Sequence, residues 1–84
     1  MRRSGNIVKT VVDVRSEFED RTIPAGTYGT IVEWYEEPEG YAVDLGIPSP
    51  DLVGGYEFDN VVLLPGQFVF VDKFPKSPYD DDQR

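Results

Sequence analysis

Apolar residues recur at every second position in short runs along this chain, and each run stops at glycine or proline. No window of helical length carries an apolar stripe free of these breakers, so the pattern predicts an all-β protein. The first strand is expected over 6–15, with Val8, Thr10, Val12 and Val14 facing the core and Ile7, Lys9, Val11 and Asp13 facing away. Ser16 to Thr22 forms a polar loop carrying Phe18. Ile23-Pro24-Ala25-Gly26 then reads as a turn, because proline presets φ and glycine tolerates the left-handed region.

The second strand, Thr27 to Tyr35, sets Tyr28, Thr30, Val32 and Trp34 against Gly29, Ile31, Glu33 and Tyr35. The large side chains on the first face make core packing the expected role of Trp34, which turns Tyr35 outward. Glu36-Glu37-Pro38-Glu39-Gly40 is a hairpin loop, and Tyr41 to Leu45 returns as the third strand. Gly46 to Gly55, with Pro48, Pro50 and a glycine pair, reads as an irregular excursion. Tyr56 to Leu64 holds the fourth strand and Phe68 to Asp72 the fifth. Five short antiparallel strands with tight turns predict a small SH3-like barrel, since closure removes exposed edges, and Gly29 supplies the bend this needs. The domain is expected to span 6–72, between a flexible N-terminus (1–5) and a disordered acidic tail (73–84) with little apolar content.

Charge changes this picture. Of the sixteen acids, eleven fall between Ser16 and Asp59, where Arg21 is the single base. Arg2, Arg3, Lys9 and Arg15 make the opening residues basic. Such an acidic body repels phosphate backbones and attracts basic partners, so direct nucleic-acid binding is disfavoured. Cysteine and histidine are both absent, which removes disulfides, thiolate chemistry, imidazole-dependent triads and the usual zinc sites. No phosphate-cradling Gly-x-x-x-x-Gly-Lys motif and no apolar run of membrane-spanning length are present. The chain is expected to be non-enzymatic and cytoplasmic, without a cofactor or bound metal; Asp80-Asp81-Asp82 reads as a solvated end.

Chemistry is then left to the loops. Glu17, Glu19 and Asp20 flank Phe18, while Glu33, Glu36, Glu37 and Glu39 surround Tyr35 and precede Tyr41. Aromatic anchors ringed by carboxylates suit recognition of a basic protein surface. Phe18 has two possible roles, as a plug at one end of the barrel or as an exposed contact. The same clusters are predicted in exposed loops rather than in a pocket that would shift their pKa values, which argues against carboxylate catalysis.

The segment Ile23-Pro24-Ala25-Gly26-Thr27-Tyr28-Gly29-Thr30-Ile31-Val32-Glu33 resembles the glycine turn and β-branched strand of SH3-like small barrels, including KOW-type modules. With the strands around Tyr41 to Leu45 and Glu57 to Pro65, it looks most like a family of small bacterial SH3-like proteins, some encoded beside polymorphic toxins. That resemblance covers residues 7–65. It implies a non-catalytic binding module, most concretely an immunity or antitoxin-type inhibitor whose acidic loops cover a toxin's basic cleft. An alternative is a KOW-like module on ribosome, RNA polymerase or RNA, using Arg2, Arg3, Lys9 and Arg15; another is an accessory domain of a larger enzyme. The acids near the glycine turn depart from the basic KOW pattern, and the Ala-Leu-Tyr-Asp-Tyr-like run of peptide-binding SH3 domains is missing.

Overall fold

The computed structural model describes residues 6–79, so the expected flexible N-terminus and the Asp80–Asp82 run lie outside the described residues. The chain is all-β. Its strands are β1 (Ile7–Thr10), β2 (Val14–Arg15), β3 (Thr22–Ile23), β4 (Tyr28–Glu36), β5 (Glu39–Pro48), β6 (Tyr56–Leu63) and β7 (Phe68–Phe70), with one short 3-10 turn at Val53–Gly55. Five of them form an antiparallel sheet in the order β6-β5-β4-β1-β7, and β2 pairs with β3 as a separate ribbon. The sheet is not closed into a barrel: β6 and β7 remain its two edges. It is nevertheless strongly curled, because the Tyr41 ring on β5 packs edge-on against Phe68 on β7, 5.3 Å between centroids, across two intervening strands.

The expected first strand is split. Val11 to Asp13 leave the ladder, and Val14 resumes pairing on the ribbon. This corner lets one alternating segment line two sides of the same core, with Val8 on the sheet and Val14 on the ribbon; Val12, expected inside, lies at the bend and is exposed. Thr10 ties the next turn to β1. Its backbone carbonyl accepts from the Gly26 N–H (2.8 Å), and its buried hydroxyl accepts from the Thr27 N–H (3.1 Å). Gly26, at φ 92°, supplies the left-handed residue this turn requires.

The concave face collects Val8, Ile31, Val43, Leu45, Val61 and Leu63 from the sheet, closed over by Val14 and Ile23 of the ribbon and Phe68 of β7. Here the structure corrects the expectation for Trp34 and Val32. Gly29 and Ile31 face the core, and a β-bulge at Val32 breaks the β4–β5 register between Ile31↔Val43 and Glu33↔Ala42. The extra residue reverses the alternation, so Trp34 pairs with Tyr41 beyond the covered part of the sheet and is 65% exposed. The third strand is also longer than expected. β5 runs through Gly46 to Pro48, paired with Phe58 and Tyr56, which absorbs part of the predicted excursion.

Gly29 sits where three strands meet. A Cβ there would lie 2.7 Å from the Asp44 carbonyl oxygen and 2.7 Å from a Val43 methyl. Since one of these atoms is backbone, the contact has no cheap relaxation. Gly29→Ala should destabilise the fold by about 2–3 kcal/mol, measured by urea denaturation; an unchanged midpoint would show that the strands have room to separate.

Candidate functional site

The candidate acidic residues fall into two groups. The first is the loop between β2 and β3, held by a buried polar network. Ser16 donates its hydroxyl to Asp59 Oδ2 (2.7 Å) and accepts from the backbone N–H groups of Phe18 (3.2 Å) and Glu19 (3.0 Å). Arg21 donates through Nη2 to Asp59 Oδ2 (3.1 Å) and to Glu57 Oε2 (3.3 Å). Asp59 and Glu57 point to the concave face because they share parity with Val61 and Leu63 on β6. The Asp59 side chain is only 2% exposed. The Asp59 hydrogen bond is the main influence raising the Arg21 pKa above its ordinary value, outweighing the effect of burial. Asp59 Oδ1 and Arg21 Nε are buried without a hydrogen-bond partner, so the bonds to this buried carboxylate run through Oδ2.

This network projects the loop rather than tucking it in. Phe18 is 76% exposed, so it does not plug the fold, and Glu17, Glu19 and Asp20 are exposed around it. Asp20 accepts a hydrogen bond from the exposed Arg15 guanidinium. Phe18 and Glu19 border an open cleft with Arg21, Glu57, Phe58 and Asn60.

The second group is the β4–β5 hairpin. Its turn residues are Glu37 and Pro38, joined by a cis peptide bond, and Glu36 faces Glu39 across the strands. Trp34, Tyr35, Glu36, Glu39 and Tyr41 line an open cleft of about 330 Å³. Glu33 lies beside Ala42 on the convex face, exposed like Glu36, Glu37 and Glu39. Tyr41 is the exception. Its ring packs on Phe68 in the core, while its hydroxyl reaches toward Glu39 Oε2 at 3.4 Å. From Leu45, opposite Asp59, to Glu39 is six residues of β5, so Asp59, which anchors the loop, lies roughly 20 Å along the sheet from the hairpin tip. Among the described residues, no three carboxylates converge as a metal site would require.

Of the basic residues considered for nucleic acid, Arg2 and Arg3 lie outside the described residues. Arg15 is paired with Asp20, and Lys9 sits 5.5 Å from the centre of the Tyr28 ring. Among the described residues, no helix is long and apolar enough to cross a membrane.

The sequence reading missed a third feature. On the convex face, Tyr28, Tyr56 and Phe58 surround Phe74, which returns from beyond β7. Phe74 meets Tyr56 edge-on at 5.0 Å and lies over Gly46, where a Cβ would come within 2.7 Å of its ring. Tyr56 donates its hydroxyl to the Pro75 carbonyl (3.0 Å). The register signal was available: Tyr56 and Phe58 alternate with Glu57 and Asp59 on β6, so they had to occupy a second face. Comparison with protein-family models, curated proteins and solved structures finds no match to this chain.

Two measurements check this geometry. Arg21→Met leaves Asp59 buried beside Ser16 alone and should cost about 2–3 kcal/mol in urea denaturation; a loss under half of that would mean Asp59 gains solvent freely. Burial, helped by the neighbouring Tyr28, pushes the Tyr56 phenol above its ordinary value near 10. An unfolded tyrosine then ionises first, so the stability Tyr56 contributes is intact below about pH 10 and is lost as pH rises through its folded pKa. Melting temperature should fall over that range, and more shallowly in Tyr56→Phe; parallel curves would remove Tyr56 as the cause.

Proposed function

We propose that this chain is a non-catalytic, SH3-like binding module whose acidic β4–β5 hairpin docks on a basic protein. The observation that carries this reading is Trp34, exposed next to Tyr35 at the end of a strand pair whose tip holds Glu36, Glu37 and Glu39. Tryptophan and tyrosine are the side chains that most often anchor an interface, and a surrounding rim of carboxylates selects for positive charge. A soluble domain gains nothing in stability from leaving an indole in water, so an interface gives Trp34 a use the fold does not.

Arg21 is bound to Asp59 and Glu57, which leaves the hairpin acids without a base on their own turn. Their field accelerates encounter with a cationic surface and suppresses neutral or anionic competitors. A basic active-site cleft, such as that of a toxin acting on nucleic acid, presents the matching chemistry, and its occlusion by a hairpin is inhibition without catalysis.

The test is binding between this protein and the products of the genes flanking its own, followed by surface plasmon resonance. Association should slow by about tenfold or more between about 0.05 M and about 0.5 M salt. Glu36→Gln/Glu37→Gln/Glu39→Gln should reduce the on-rate, and Trp34→Ala should raise the off-rate. Binding indifferent to salt and to Trp34, or a mobility shift of RNA by the unmodified protein at micromolar concentration, overturns the proposal.

A further inference from the structure

Residues 73–79 follow the last strand without adding to the sheet, yet they are seated on it. Phe74 fills the space above Gly46 between Tyr28, Tyr56 and Phe58, Pro75 accepts a hydrogen bond from Tyr56, and Ser77 is buried. The seat is larger than its occupant. On one side of Phe74 a groove of about 380 Å³ runs along Thr30, Gly54 and Phe58 beneath Pro75 to Ser77. Tyr28, Tyr56 and Gly46, which Phe74 also contacts, border a second hollow of about 240 Å³ with Pro48 and the Pro24–Thr27 turn. The surface that holds the ring therefore continues beyond it.

The contacts are of a kind that recognises an extended peptide. One ring enters an aromatic slot, a tyrosine hydroxyl reads a main-chain carbonyl, and Pro75 stiffens the stretch before the turn at Pro78 and Tyr79, leaving it little entropy to lose. Lys73 and Lys76 flank the ring, and the segment from 73 to 79 contains no acid, whereas the body it lies on is strongly anionic.

We infer that the Tyr28–Tyr56–Phe58 groove is a peptide-docking site closed in cis by Phe74–Ser77, and that its trans ligand is an extended partner segment carrying a Phe-Pro pair beside lysine. This site lies on the convex face and is independent of the acidic hairpin. The tethered segment competes at an effective concentration of order millimolar, so a free ligand binds only weakly until the tether is displaced.

The experiment uses the full chain and a fluorescent peptide of the sequence Asp72 to Tyr79. In Phe74→Ala, folded as judged by circular dichroism, the peptide should bind saturably and about tenfold or more tightly than to the unmodified protein. A peptide with alanine at its phenylalanine should not bind. No saturable binding to Phe74→Ala, or equal binding to both proteins, overturns the proposal. Should Phe74→Ala fail to fold, Phe74→Leu is assayed in its place with the same expectation; unfolding of both makes Phe74 a core residue and overturns it as well. A concentration-dependent dimer of the unmodified protein, abolished by Phe74→Ala, would assign the groove to a second copy and overturn the partner reading.

Discussion

The arrangement of this protein turns on one inserted residue, Val32, in the β4–β5 ladder. Up to Ile31, odd-numbered residues of β4 face the core; past the bulge, even-numbered ones do. Strict alternation would have carried Glu33 onto the concave face in register with the apolar residues of β5, at the cost of burying a charge. The bulge instead leaves Glu33 on the convex face and brings Trp34 beside Tyr41. It also marks the point where core gives way to projecting hairpin, since Ile31 is buried and every residue from Val32 to Glu39 is exposed. Packing at Gly29 curls the first half of β4, and the bulge frees the second half.

Charge is distributed by the same logic. β6 places Asp59 on the concave face by parity alone, and a buried carboxylate demands a partner. Arg21, the one base in the acidic stretch, is drawn to it, and Ser16 completes the bond set while fixing the first turn of the loop. The fold thereby uses up that stretch's positive charge inside. Asp59 itself lies about 20 Å along β5 from the hairpin tip, beyond the ~8 Å screening length of physiological salt, so the buried network and the hairpin acids are electrostatically separate.

Much of this was legible in the residues. Alternation located β4 and β6 to within a residue at each end, and the proline-glycine turn before β4 was read correctly, with Gly26 in the left-handed region as expected. The phase past Val32 was not legible, because a bulge leaves no mark on composition and period-two reasoning assumes an unbroken register. Trp34 misled for another reason: side-chain size favoured the face of Tyr28, Thr30, Val32 and Trp34, whereas Gly29 and Ile31 face the core, and the bulge returns Trp34 to the concave side only past its covered part. Pro48 concealed the end of β5, although a terminal strand position tolerates its missing donor. Of the expected contact residues, Glu17, Phe18, Glu19 and Asp20 are exposed together, as are Tyr35, Glu36, Glu37 and Glu39 on the hairpin; Tyr41 serves both core and rim. What the sequence hid most fully was the return of Phe74, since a lone aromatic among prolines and lysines has no periodicity to reveal its partner.

That return follows from the size of the domain. A chain this short cannot enclose all its aromatic residues in one core, and a curled sheet with a packed concave side still has a convex side to cover. Tyr28, Tyr56 and Phe58 put rings there because they alternate with residues committed to the other face. A sixth strand cannot cover them, since both neighbours of β5 and of β4 are already in place and pairing extends a sheet sideways rather than over its surface. A single ring delivered by a proline-stiffened segment does cover them, without strand pairing and with Tyr56 donating a hydrogen bond to it. Opening cover of that kind would break no strand ladder, unlike parting any two strands of the sheet. The convex face is therefore shielded by side-chain packing alone, with no further strand.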